Sequence, residues 1–179
     1  AKSADKAGVS SSPYKLPYTK GENWLCGQGC HGIFSHIPSD LSTAKSYDNE
    51  YAYDFNEKEN RHALVARNAI VLDVIKDNEN GSDSANSVDA MHTSWHEGHD
   101  PGTDDERVLT YSTYYHLSQN HVWVDVGHRL PQGMHLADID STGRSAQHHL
   151  HYHAEEYQRR VANTATPPGD ERRNTTVPI

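Results

Sequence analysis

The apolar residues of this chain come in short runs broken by turn signals, and that spacing suits strands far better than helices. Leu64, Val65 and Ala66 form one run and Ile70 to Ile75 a second, β-branched one, followed by the turn-forming Asn78, Glu79, Asn80 and Gly81. From Val108 to Leu117 the residues alternate with Thr, Ser, Tyr and His, the pattern of a half-buried strand. Val122 to Val126 is a further short run, ended by Gly127; Met134 to Ile139 follows Gly133; Leu150 to Ala154 alternates inside a cluster of histidines. Only Ala154 to Val161, with Glu155, Glu156, Arg159 and Arg160, reads as an amphipathic helix. Between Ser82 and Arg107 the chain is polar and turn-rich and reads as a long surface loop inserted between strands. Together these features predict a mainly β protein: an antiparallel sheet forming an open, barrel-like sandwich, with little helix and with long loops that form a groove.

The 179 residues suit one domain around one core. Residues 1–15 read as a flexible N-terminal segment, 16–160 as the patterned domain, and 161–179, with three Pro and many charges, as an irregular tail. Two Phe against ten Tyr make the expected core rich in amphipathic aromatics. A formal net charge of −9 argues against nucleic acid as a partner, because phosphate binding needs a positive surface. No apolar run approaches 18 residues, so no membrane-spanning helix is expected. Cys26 and Cys30 suit either a small-loop disulfide in an oxidising compartment or two free thiols. Without a second Cys pair they do not make a Cys-only zinc site.

The strongest chemical signal is the run from His148 to His153, in which histidine alternates with Leu150 and Tyr152. In a strand, alternate side chains share a face, so His149, His151 and His153 point one way. Neighbouring rings on that face lie about 7 Å apart, so one can bind a metal while the next reaches the reacting group. Imidazole is a preferred zinc ligand near neutral pH because it is largely unprotonated there. Two such rings cannot hold a catalytic zinc alone; three protein ligands and an open position for water are needed.

Further motifs stand in a fixed order around this run. Tyr111 to Leu117 ends in His116-Leu117; Val124-Asp125-Val126-Gly127 follows; then come Gly133, the Ser141-Thr142-Gly143-Arg144-Ser145 turn, and His149-Leu150-His151-Tyr152. Upstream stand Leu16-Pro17-Tyr18, Trp24, Gln28-Gly29, Phe34-Ser35-His36, Tyr51 to Phe55, and Val65-Ala66-Arg67. This ordered set, spanning roughly residues 16–155, resembles the lysostaphin-like zinc endopeptidases, a family that includes peptidoglycan endopeptidases and the β-lytic proteases. The resemblance implies one Zn2+ per chain, with His36, Asp54 and His151 as ligands and water in the fourth position. Many relatives carry the first histidine four residues before the aspartate, where Glu50 stands here; the Phe34-Ser35-His36 version is the one matched. His116 and His149 are implied to sit beside the metal as general base and as hydrogen-bond partners of the reacting groups. The implied activity is hydrolysis of peptide cross-links in bacterial peptidoglycan by a secreted or periplasmic monomer, without membrane insertion. A zinc-bound but non-catalytic wall-peptide-binding or regulatory module of the same fold is the alternative. A His-rich metal-handling protein, holding several zinc ions per chain, is a weaker third.

Other positions carry looser expectations. His153, where relatives commonly have Glu, is either a partner of the ligand set or exposed. His92 matches a strand position that can line the groove, and His96 and His99 fall in the inserted loop. Alternation places Tyr115 and Tyr152 towards the core and Tyr114 on the face of His116. Several family glycines are replaced, by Asn68-Ala69, Asp140 and Gln147 among others. Asn68 and Asp140 tolerate a left-handed backbone, whereas Ala69 and Gln147 do so poorly.

Overall fold

A computed structural model describes residues 12–37, 49–56, 61–92, 109–157 and 174–177, which carry eleven strands and, among the described residues, no helix. In chain order these are β1 (Leu25–Gln28), β2 (Tyr53–Asn56), β3 (His62–Leu64), β4 (Ala69–Ile75), β5 (Ser87–His92), β6 (Leu109–Tyr115), β7 (Leu117–Val122), β8 (Arg129–Leu130), β9 (His135–Ile139), β10 (Leu150–Tyr157) and β11 (Asn174–Val177). The larger sheet runs β1-β2-β10-β6-β5-β4-β8, with β11 also paired to β10; the smaller runs β3-β9-β7. Every pairing is antiparallel, and neither sheet closes into a barrel.

One core draws on both sheets. Val71, Val88, Tyr114 and Tyr152 from the larger sheet meet Leu117, Leu136 and Ile139 from the smaller, all essentially inaccessible. Tyr114 and Tyr152 take the places that large apolar residues would fill, and their hydroxyls find partners, as buried phenols require. Tyr114 Oη accepts from the Ala66 amide at 2.9 Å, and Tyr152 Oη lies 2.8 Å from Ser112 Oγ.

Three local expectations change. Ser87–His92, inside the stretch read as a surface loop, is a strand between β4 and β6. Val88, Ala90 and His92 are buried in alternation, but with polar Ser87 before them and Asp89 between them they make only a faint apolar run. The strand expected at Val122–Val126 lies earlier, as β7, which ends at Val122. Val124 is still buried and Trp123 still exposed, and the Trp123 amide donates to the Leu136 carbonyl at 3.0 Å, but no ladder continues. The helix expected from Ala154 is instead the end of β10, which continues to Tyr157 because β6 and β11 pair it on both sides. Residues 158–161 lie outside the described residues, as do His96 and His99. The segment read as an irregular tail supplies β11. Tyr14 and Lys15, in the segment read as flexible, dock on the fold: Tyr14 packs against the core, and the Lys15 amide donates to the Ala66 carbonyl. Cys26 and Cys30 are exposed free thiols.

Candidate metal centre

The larger sheet brings Asp54 and His151 together directly, because β2 and β10 pair with these two residues opposite one another. On the other side of His151, β6 places Tyr115 opposite it. His36 arrives from the loop after β1. Gln28, at the end of β1, shapes that loop: its Oε1 accepts from the Phe34 and Ser35 amides at 3.0 and 3.1 Å, and its Nε2 donates to Ser35 Oγ at 2.8 Å. The same Nε2 donates to Asp54 Oδ2 at 3.0 Å, so one amide ties the loop to the carboxylate. Gly32 is needed here, because a Cβ at that position would collide with the Gln28 side chain. The loop delivers His36, fully buried, onto Asp54 and His151.

Three ligand atoms converge. His36 Nε2 lies 3.3 Å from His151 Nδ1 and 3.4 Å from Asp54 Oδ1, and His151 Nδ1 lies 2.9 Å from Asp54 Oδ1. Ligands about 2.0–2.1 Å from a tetrahedral zinc are about 3.3 Å apart, so these atoms stand close to the separations that such an ion requires. The outer nitrogens fit the same role. His36 Nδ1 donates to the Gly29 carbonyl at 3.0 Å, which turns the lone pair of a neutral ring inward at Nε2. His151 Nε2 meets His153 Nδ1 at 3.2 Å, so His153 is a buried partner of His151. Burial pushes His151 down to about 3 despite the opposing hydrogen bond and charge of Asp54, so the ring stays neutral. Burial alone would raise the Asp54 carboxyl, but the hydrogen bonds of His151 and His36 outweigh it and hold the group well below its ordinary range. Two imidazoles and one ionised carboxylate are a donor set suited to zinc.

His116 and His149 stand beside these three. Their ring centroids are 4.5 Å apart, and His149 Nε2 lies 3.6 Å from Asp54 Oδ1. His116 ends β6 in a left-handed conformation, φ 63°, and its Nδ1 donates to the Thr142 carbonyl at 2.7 Å. Asn86 and Thr142 hold that corner. The Thr142 hydroxyl donates to the Leu117 carbonyl at 2.8 Å and accepts from the Asn86 amide at 3.0 Å. Gly143, φ 78°, passes so close to Ala85 that a Cβ would lie 2.7 Å from it. His149 Nδ1 donates to the Gln147 carbonyl at 2.9 Å, with Ser145 Oγ at 3.1 Å. In both rings a backbone carbonyl fixes the proton on Nδ1 and leaves Nε2 as the acceptor. Burial, reinforced by the nearby His149, pushes His116 down, so it is neutral at pH 7. A cleft of about 390 Å³ opens over the group, lined by Gln28, Phe34, Asp54, His116, Arg144 and His149 among others.

Several expectations resolve differently. Tyr115, not Tyr114, stands at the centre: its ring lies 5.6 Å from that of His151, whereas Tyr114 is fully buried against Tyr152. The left-handed turn at His116 breaks the strand alternation on which the Tyr114 expectation rested. His92 does not line the cleft. It is buried against the Asn68 carbonyl and Ser112 Oγ. Asn68, Ala69, Asp140 and Gln147 are not among the residues with positive φ, so the missing glycines call for no left-handed backbone. In the sequence Gln28-Gly29 stands only as one of the ordered motifs, with no role for the Gln28 side chain at the site.

No family model matches the chain, and no curated protein matches it. Among solved structures it is similar to the catalytic domain of the antimicrobial peptidase lysostaphin from Staphylococcus simulans, at 16% identity over 69% of this chain and 76% of that one, with a TM-score of 0.43. It is also similar to a variant of the catalytic domain of the prophage-encoded M23 protein EnpA from Enterococcus faecalis, at 11% identity over 79% of this chain and 87% of that one, with a TM-score of 0.47. A third likeness is to a zinc-containing peptidase from Vibrio cholerae, at 23% identity over 65% of this chain and 30% of that one, with a TM-score of 0.40.

Proposed function

We propose that this chain is a zinc-dependent endopeptidase that hydrolyses peptide cross-links of bacterial peptidoglycan, acting outside the cytoplasm. The observation that carries the reading is the convergence of His36 Nε2, Asp54 Oδ1 and His151 Nδ1 at the floor of an open cleft, with His116 and His149 alongside. A zinc ion bound there supplies Lewis acidity and lowers the pKa of a coordinated water.

The protein's own groups do the rest. Gln28 and His153 orient Asp54 and His151, and the Gly29 carbonyl orients His36. His149, whose Nδ1 is held by the Gln147 carbonyl and whose Nε2 faces the ligand group, takes the proton of the attacking water as general base. His116, held by Thr142 with its Nε2 unprotonated, is the second proton acceptor. Once protonated, either ring donates to the developing oxyanion or to the leaving amine. A cleft of about 390 Å³ over these groups gives a peptide substrate access to them. The choice of wall peptide as substrate rests on the resemblance of the ordered motifs.

The test is zinc content after exhaustive dialysis, measured with peptide release from purified cell walls, for the wild type, His149→Ala and His151→Ala. The reading expects one retained zinc and wall hydrolysis in the wild type, no retained zinc in His151→Ala, and retained zinc without hydrolysis in His149→Ala. One tightly held zinc with no peptide released from any wall type would instead favour a wall-peptide-binding module.

A further inference from the structure

We propose that the exposed face of the smaller sheet carries a second site for a divalent transition metal of the zinc class, held by His62, His135 and Asp138 and steadied by His121. None of these residues belongs to the centre above, and the site stands whether or not that centre is catalytic.

The site follows from the sheet's register. β9 is the middle strand, and its Asp138 lies directly opposite His62 of β3. On the other flank, β7 pairs Val122 with Ala137, which brings His121 beside Asp138. His135 lies three residues from Asp138 on the same strand and would ordinarily face the other way. A register shift prevents this: Ala63 pairs with Ala137 but Leu64 with His135, so β9 spends two residues against one of β3. Such a bulge re-aims the side chain beyond it, and here it turns His135 onto the face of Asp138.

The resulting contacts are close. His62 Nδ1 lies 2.8 Å and His135 Nε2 2.9 Å from the same oxygen, Asp138 Oδ1, and the two rings are 4.3 Å apart. His121 Nδ1 lies 3.1 Å from the other oxygen, Oδ2, and so holds the carboxylate in place. Two imidazoles and one carboxylate select zinc-class ions over magnesium or calcium, which prefer all-oxygen shells. The side chains of His62 and His135 are 50% and 37% exposed, so solvent would complete the coordination. Trp123 stacks on His121, with ring centroids 5.5 Å apart and planes at 19°, and lies 6.1 Å from His135, which gives the site its own optical reporter.

The test is a Zn2+ titration of the full chain with its tight site already filled, followed by calorimetry. A second equivalent binds to the wild type. It is lost in His62→Ala and His135→Ala, weakened about tenfold in His121→Asn, and retained in His151→Ala, which loses the tight ion instead. With Co2+ as the probe, the same step quenches Trp123 emission, and Trp123→Phe removes that quenching without removing the binding. The proposal is overturned if the wild type takes no second equivalent. It is also overturned if a second equivalent persists in both His62→Ala and His135→Ala with unchanged circular dichroism.

Discussion

Two clusters in this protein gather imidazoles around one carboxylate, and they differ chiefly in depth. Between β2 and β10, His36 is fully buried and His151 is 6% exposed. On the smaller sheet, the side chains of His62 and His121 are 50% and 54% exposed. The deep cluster has its rings and carboxylate fixed from behind, by the Gly29 carbonyl, His153 and Gln28. In the shallow one, His121 steadies the carboxylate from Oδ2. Burial removes the water that would otherwise solvate these donors, so an ion held by the deep cluster would be coupled to folding. Surface rings keep their hydration, and an ion held there would exchange freely.

The largest break in that contrast comes from His151→Ala. It removes a proposed ligand and leaves the Asp54 carboxylate buried without its nearest partner. Dialysed protein should hold no zinc, wall hydrolysis should fall to background, and the unfolding free energy should drop by roughly 3 kcal/mol in a denaturant titration. His149→Ala and His116→Ala should keep the zinc and cut hydrolysis by about 10²–10⁴-fold, the span of a general acid–base contribution. Steady-state rates on wall peptides, read beside metal content, separate these two classes of variant.

Acid isolates what burial does without a metal. His92 is buried outside both clusters, and burial pushes it down to about 4 from an ordinary 6.5. Between those values the unfolded chain takes up a proton that the folded one excludes. The His92 contribution is therefore complete above pH 6.5 and is lost as the pH falls to about 4, by up to about 3 kcal/mol. Urea unfolding at pH 7.5 and 4.5 should show a smaller drop in His92→Gln than in the wild type. Gln28→Ala tests the support behind the deep cluster: zinc affinity, measured by competition with a chelator, should weaken about 10–100-fold. The smallest effect belongs to the shallow cluster, where His62→Ala in zinc-free protein should change stability by no more than about 0.5 kcal/mol.

Much of the deep cluster is legible in the sequence. The alternation of His149, His151 and His153 is a local property, and β10 carries it through His151 and His153 with His149 just before its start. Tyr115 was misread because alternation holds only while the strand continues, and His116 leaves it through a left-handed turn. β5 was missed because its buried positions, Val88, Ala90 and His92, are small or polar. Gln28 had no local signature, since its work is done across the loop it folds and the strand it faces.

The linear order of residues therefore determined the strand content, the face shared by the histidines of β10 and the types of ligand on offer, because each depends on neighbours within a few positions. Tertiary structure alone decided that His62, His121 and His135 would meet at Asp138. Those residues come from three strands, and their meeting depends on register and on one bulge, neither of which short-range periodicity encodes.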